Sequence, residues 1–151
     1  MLSKRSSSFS GIVICLFIVF ASFTLANAAD TASQIVTQVD QILKDNPLKA
    51  GEKAQRIKVA EDDTITVFVV RLVEGAEIKA HFHKTHDETV YVIKGTGTML
   101  VNDKWIDIKP GTLHFNPMGK MHYVRVTGNE PLVIISIFTP AMREPDTQFV
   151  Q

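Results

Sequence analysis

The stretch GAEIKAHFHKTHDETVYVIKG, residues 75–95, decides the fold of this 151-residue chain. On an extended strand, residues two apart point to the same face. His81 and His83 therefore present two imidazoles side by side, and Glu88 follows after a short break, with Gly75 and Gly95 as the bounds. A second stretch, GTLHFNPMGKMH at residues 111–122, carries Gly111, Pro117, Gly119 and a further imidazole, His122. All five histidines, His81, His83, His86, His114 and His122, fall within 42 residues. Three nitrogens and one carboxylate oxygen, from His81, His83, His122 and Glu88, make a metal-ligand set. Imidazole and carboxylate donors suit Mn, Fe, Ni, Cu or Zn without choosing among them.

Outward from these segments the apolar pattern has the period of strands. Strands are expected at residues 56–59, 64–73, 78–83, 89–94, 96–101, 105–109, 112–116, 121–127 and 132–139. Gly and Asx residues punctuate them, and Asn102-Asp103 reads as a tight hairpin turn. Many short strands without intervening helices predict an all-β sandwich or barrel.

Ahead of the strands, Ile35, Val36, Val39, Ile42 and Leu43 recur at helical spacing. They predict a short amphipathic helix from Thr31 to about Asp45, with Thr31 and Gln34 as a capping box and Pro47 as its stop. The helix would pack on the domain as a lid, or help to form a dimer.

The N-terminus places Lys4 and Arg5 before an apolar run from Gly11 to about Leu25, closed by Ala26-Asn27-Ala28. That is the layout of a secretory signal peptide cleaved before Ala29. It predicts an exported protein, periplasmic or secreted, with no membrane attachment after cleavage. The only cysteine, Cys15, would leave with the peptide. The mature chain then holds 14 basic and 16 acidic residues, a balance that recruits neither nucleic acid nor anionic lipid. The expected organisation is a signal peptide at 1–28, helix and connector at 29–55, barrel at 56–139 and a C-terminal tail at 140–151 lying along the surface.

The two histidine-bearing segments resemble the two sequence motifs of the cupin superfamily. The first is matched at Gly75, His81, His83, Glu88 and Gly95, the second at Gly111, Pro117, Gly119 and His122. The resemblance implies a cupin-type jelly-roll (double-stranded β-helix) barrel, in a small single-domain form. It also implies an ion held inside by His81, His83, Glu88 and His122, with positions left open for a small-molecule ligand or substrate. Small cupins are often dimers, and an exposed edge strand would allow a homodimer. Two positions depart from the usual motif. Thr112 stands where an aspartate is common, and Val126 where an asparagine is common, so Val126 is expected to line the pocket.

Two functions follow. One is a metalloenzyme acting on a small oxygenated substrate, of dioxygenase, decarboxylase or lyase type. Its candidate acid–base groups are His114 and a Glu88 that leaves the ion. The other is a non-catalytic protein that binds a small ligand or a metal. His86 reads as a solvated loop residue. Tyr91, Tyr123, Trp105 and Phe115 read as packing or barrel-wall residues, as do Met99, Met118 and Met121.

Overall fold

Alternating apolar residues can hide one face of a strand and leave the other in water, so two such sheets bury their apolar faces against each other. The computed structural model describes residues 34–150 and has this form. Its elements are α1 (Val39–Asp45), β1 (Ala54–Glu61), β2 (Thr66–Leu72), β3 (Glu77–His83), β4 (Asp87–Lys94), β5 (Gly97–Val101), β6 (Lys104–Ile108), β7 (Leu113–Asn116), β8 (His122–Val126), β9 (Leu132–Thr139) and β10 (Thr147–Phe149). One five-stranded sheet runs β1-β2-β9-β4-β7, the other β10-β3-β8-β5-β6, and the pairings within both are antiparallel. This is the jelly-roll barrel that the motifs imply. No helix among the described residues is long and apolar enough to cross a membrane. The signal-peptide segment and Thr31 lie outside the described residues.

The nine strands expected from periodicity all form, with ends shifted by at most two residues. The Asn102-Asp103 turn joins β5 to β6 with both residues at positive φ, 48° and 59°, the conformation a two-residue hairpin requires. Gly95 also sits at positive φ, 78°, and a Cβ there would meet the backbone oxygen of Pro131 at 2.4 Å. Only a residue without a side chain lets the two segments approach this closely.

One expectation needs correction. The helix begins at Val39 rather than Thr31, with Gln38 in extended conformation at its N-cap. Ile35, Val36 and Thr37 are consecutive β-branched residues, whose side chains crowd a helical turn. The helix has no buried residue, and the segment after it is tied down where Arg71 Nη2 donates to Asn46 O at 2.7 Å. Within the C-terminal tail, residues 147–149 form a further strand, with Gln148 and Phe149 exposed. β10 pairs with β3, with Thr147 opposite His83 and Phe149 opposite His81.

The core lies between the sheets. Leu72 and Leu132 have no accessible surface, and Val92, Val90, Met99, Val124, Val126 and Phe138 pack with them. Each such side chain contributes roughly 1.5–3 kcal/mol through burial. Trp105 and Phe115 are outside this core, about half exposed on the barrel wall.

Candidate metal centre

His81 and His122 are directly paired across β3 and β8, and the register of β3 is irregular between Ile78 and His81. Such bulges re-aim side chains beside functional sites. His83 follows on the same face, and its carbonyl accepts a hydrogen bond from Gly119 N at 2.7 Å, which clamps the second motif's turn to the end of β3. Asp87 Oδ1 accepts from Met118 N at 2.8 Å and holds the same turn from the other sheet. The outcome is three buried imidazoles whose candidate ligand nitrogens all lie within 4.8 Å of one another.

The hydrogen bonds select which nitrogens face inward. His81 Nδ1 donates to Lys79 O at 2.7 Å and His122 Nδ1 to Lys120 O at 3.2 Å. With Nδ1 protonated, the Nε2 lone pairs of both rings are free. Both nitrogens of His83 and Nε2 of His122 are buried with no hydrogen-bond partner. A buried unsatisfied ring nitrogen costs about 1–3 kcal/mol. Unsatisfied nitrogens on the His83 and His122 rings, with His81 beside them, are what a cation would satisfy, so the donor set fits a divalent transition metal. Burial, aided by the neighbouring His122 ring, pushes the His81 imidazole down to about 4 and keeps it neutral and ligand-ready near pH 7.

Glu88 enters from the opposite sheet. Its Oε2 lies 3.2 Å from His122 Nε2 and 3.7 Å from His83 Nε2, a carboxylate donor beside two of the three imidazoles. Burial, the largest influence on Glu88, acts to raise it. Proximity to His122 and His83 and the Ser136 hydroxyl outweigh burial and hold the carboxyl well below the usual carboxylate range. Ser136 Oγ donates to Oε1 at 2.5 Å, and Asn116 Nδ2 donates to Oε2 at 2.9 Å. Ser136 and Asn116 were not singled out from the sequence. A lone hydroxyl in the apolar run LVIISIFT was the available signal for Ser136.

Other candidate residues fall elsewhere. His114 lines neither cavity at the site; its Nε2–H donates to Asn116 Oδ1. It thus reaches Glu88 only through the amide. His86 is buried, not solvated. Its ring bonds Asp146 Oδ2 at 2.7 Å and Ala141 O at 3.3 Å, pinning the segment before β10. Val126 lies in the apolar core and lines neither cavity, while Val124 borders the inner one. Met99 is buried beside the inner cavity, and Met118 is half exposed.

Two spaces adjoin the centre. An inner cavity of about 30 Å³, room for a single water or ion, touches His81, Glu88 and His122. A larger one of about 360 Å³ has His81, His83 and Glu88 on its floor and Val70, Ile134 and Phe138 on its walls. Phe149 of β10 stands at its edge, ring centre 5.9 Å from that of His81.

Residues 68–138 match the family described as Cupin domain. An uncharacterised protein of Aquifex aeolicus is 28% identical over 116 residues, covering 77% of this chain and 93% of that one. Quercetin 2,3-dioxygenase of Bacillus subtilis is 27% identical over 127 residues, but the chain spans only 37% of that protein's length. An oxalate-binding protein of Thermotoga maritima is 29% identical over 68 residues, 45% of this chain and 56% of that protein. Among solved structures, a double-stranded β-helix protein of Klebsiella pneumoniae superposes with a TM-score of 0.62 at 26% identity, covering 72% of this chain and 91% of that one. Oxalate decarboxylase of Bacillus subtilis, whose structure is described as having Mn(II) centres, gives a TM-score of 0.52 at 28% identity. It covers 58% of this chain and 24% of that one.

Proposed function

This chain belongs to the cupin superfamily, and we propose that it is an exported, metal-dependent member acting on a small oxygenated substrate, by dioxygenase, decarboxylase or lyase chemistry. One observation carries the reading: three buried imidazoles, two with unpartnered nitrogens, converge beside a cavity large enough for a small organic molecule. His81, His83 and His122 would hold the ion with Glu88. When bound, a divalent ion of the Mn, Fe, Ni, Cu or Zn group acts as a Lewis acid toward a substrate oxygen.

The protein's own groups have defined tasks. Ser136 and Asn116 fix both oxygens of Glu88, so the carboxylate is oriented before any ligand arrives. His114 orients the Asn116 amide. Glu88 is the group placed to hold or pass a proton at Oε2, since that oxygen faces the histidines. Val70, Ile78, Ile134 and Phe138 line the cavity and exclude water, which strengthens each charge interaction inside. The signal-peptide layout at residues 1–28 supports export.

The test is direct. The protein is expressed with its native N-terminus, recovered from periplasm or medium, and assayed for metal and for oxygen uptake and carbon dioxide release with diols, diketones and carboxylates. One metal per chain with turnover on one class, and a mature N-terminus near Ala29, is the expected result. A metal-free protein whose melting temperature is unchanged in a His81→Ala, His83→Ala double variant refutes the metal reading. Stoichiometric metal without turnover supports a second reading, non-catalytic binding of a small ligand, which the similarity to an oxalate-binding protein favours.

A further inference from the structure

The larger cavity is bounded by the edge strands of the two sheets, β1 with Ala54 and Arg56 on one side and β10 with Thr147 and Phe149 on the other. Among the described residues Arg56 is the only lysine or arginine that lines it. Among the described residues no carboxylate lies within ion-pair distance of its guanidinium. Its polar contact is the Met142 sulfur, 3.8 Å from Nη1, which is a weak acceptor. Its carbon Cζ lies 4.6 Å over the ring of Phe68, itself packed edge-on against Phe138 at 5.8 Å. Phe138 in turn packs against His83 at 4.9 Å. A cation–π contact of this kind steadies the guanidinium without using its N–H donors.

We propose that Arg56 anchors a carboxylate group of the ligand that enters this cavity, so that the ligand class is small carboxylates presenting a second oxygen toward the histidine floor. The planar fork of a guanidinium matches a carboxylate with two parallel, charge-assisted hydrogen bonds. Among the described residues Arg56 is the only lysine or arginine on the lining, one planar fork for one planar carboxylate. Thr147, also on the lining, offers a hydroxyl donor from the opposite edge. The proposal deepens the metal-site reading and rests on it for the second oxygen only; the Arg56 contact itself needs no metal.

The test is calorimetric titration of the purified protein, metal-loaded and chelator-treated, with oxalate, malonate, succinate and pyruvate. Malonamide and inorganic phosphate serve as comparison probes. At least one carboxylate is expected to bind, with malonamide and phosphate weaker by about tenfold or more. Arg56→Gln should weaken the carboxylate by about tenfold to a hundredfold in both metal states, with metal content and melting temperature kept, and Arg56→Lys should fall between. Three results overturn the proposal: no carboxylate of the series binds, malonamide or phosphate binds as tightly, or Arg56→Gln binds like wild type. Metal at one per chain together with an unaffected Arg56→Gln variant sinks this inference alone. A metal-free protein whose carboxylate binding still depends on Arg56 sinks the metal reading alone.

Discussion

Replacing His83 by leucine should stabilise the metal-free protein and destabilise it relative to wild type once metal is added. The imidazole is 3% exposed, and neither nitrogen has a partner. Its unsatisfied polar groups cost about 1–3 kcal/mol, which a leucine of similar volume does not incur. The change also loses the edge-to-face packing on Phe138, at a ring separation of 4.9 Å and an interplanar angle of 81°. Such a contact is worth roughly 0.5–1.5 kcal/mol. The difference leaves a net gain on the order of 1 kcal/mol, or about 3–5 °C in melting temperature for a domain of this size. With metal at a hundred times its dissociation constant, wild type gains about 2.7 kcal/mol. The variant, short of one nitrogen, gains much less. Melting curves in chelator and in excess metal should therefore cross. A variant that melts below wild type in chelator refutes the argument that these nitrogens are unsatisfied. Equal stabilisation of both proteins by metal refutes His83 as a ligand.

Asn116→Leu should weaken metal binding by about 10–100-fold, since it removes the donor that fixes Glu88 Oε2, whereas His114→Ala should cost less because it acts through that amide; competitive chelator titration reads both. Asp146→Asn should destabilise the fold in urea at neutral pH. Burial acts to raise the Asp146 carboxyl, but hydrogen bonds from His86 and Thr85 overcome it and hold the group at about 2. A depressed carboxyl contributes stability that is present above its unfolded value near 3.8 and lost as pH falls through about 2, so the gap between wild type and variant should close across that window. An unchanged gap at pH 2 counts against the His86–Asp146 link. Gly95→Ala should lose about 3 kcal/mol or more, because its Cβ would meet the Pro131 carbonyl oxygen at 2.4 Å at a φ of 78°. Gly111→Ala, at φ 90° with nothing within 4 Å, should lose only about 1–2 kcal/mol by equilibrium unfolding.

What was legible in the sequence was local. Period-two alternation predicts the nine principal strands, and the pair His81 and His83 announces a shared face because the strand period is two. What was not legible depends on distant pairing. β10 is three residues long, preceded by Pro145, and becomes a strand only because β3 offers an edge. His86 looks solvated in its own segment, yet its partner Asp146 lies 60 residues further on. Asn116 sits in plain view in the second motif, but its task follows from its register opposite Glu88. Val126 was placed on the correct face of β8 and at the wrong depth: alternation gives the face of a residue, while depth along the barrel is set by its neighbours. The helix began late because three adjacent β-branched residues outweighed a regular apolar spacing.

Depth along the barrel also explains why one motif holds both ligands and a distant glycine. Inward-facing positions on β4 run Glu88, Val90, Val92, and on β8 they run His122, Val124, Val126. Polarity is therefore confined to one end, where Glu88 lies opposite Phe138. At the other end Val126 lies opposite Gly97, and Gly95 abuts Leu132 and Pro131. The glycines permit sheet closure over Leu72, Leu132 and Val92, far from the histidines along the same strands. Stability and chemistry thus occupy opposite ends of one barrel. Because the apolar end contains no group that needs an ion, losing the metal leaves its packing intact. The cost of the orphaned nitrogens then falls locally on β3, β8 and the β10 strand that lies against them.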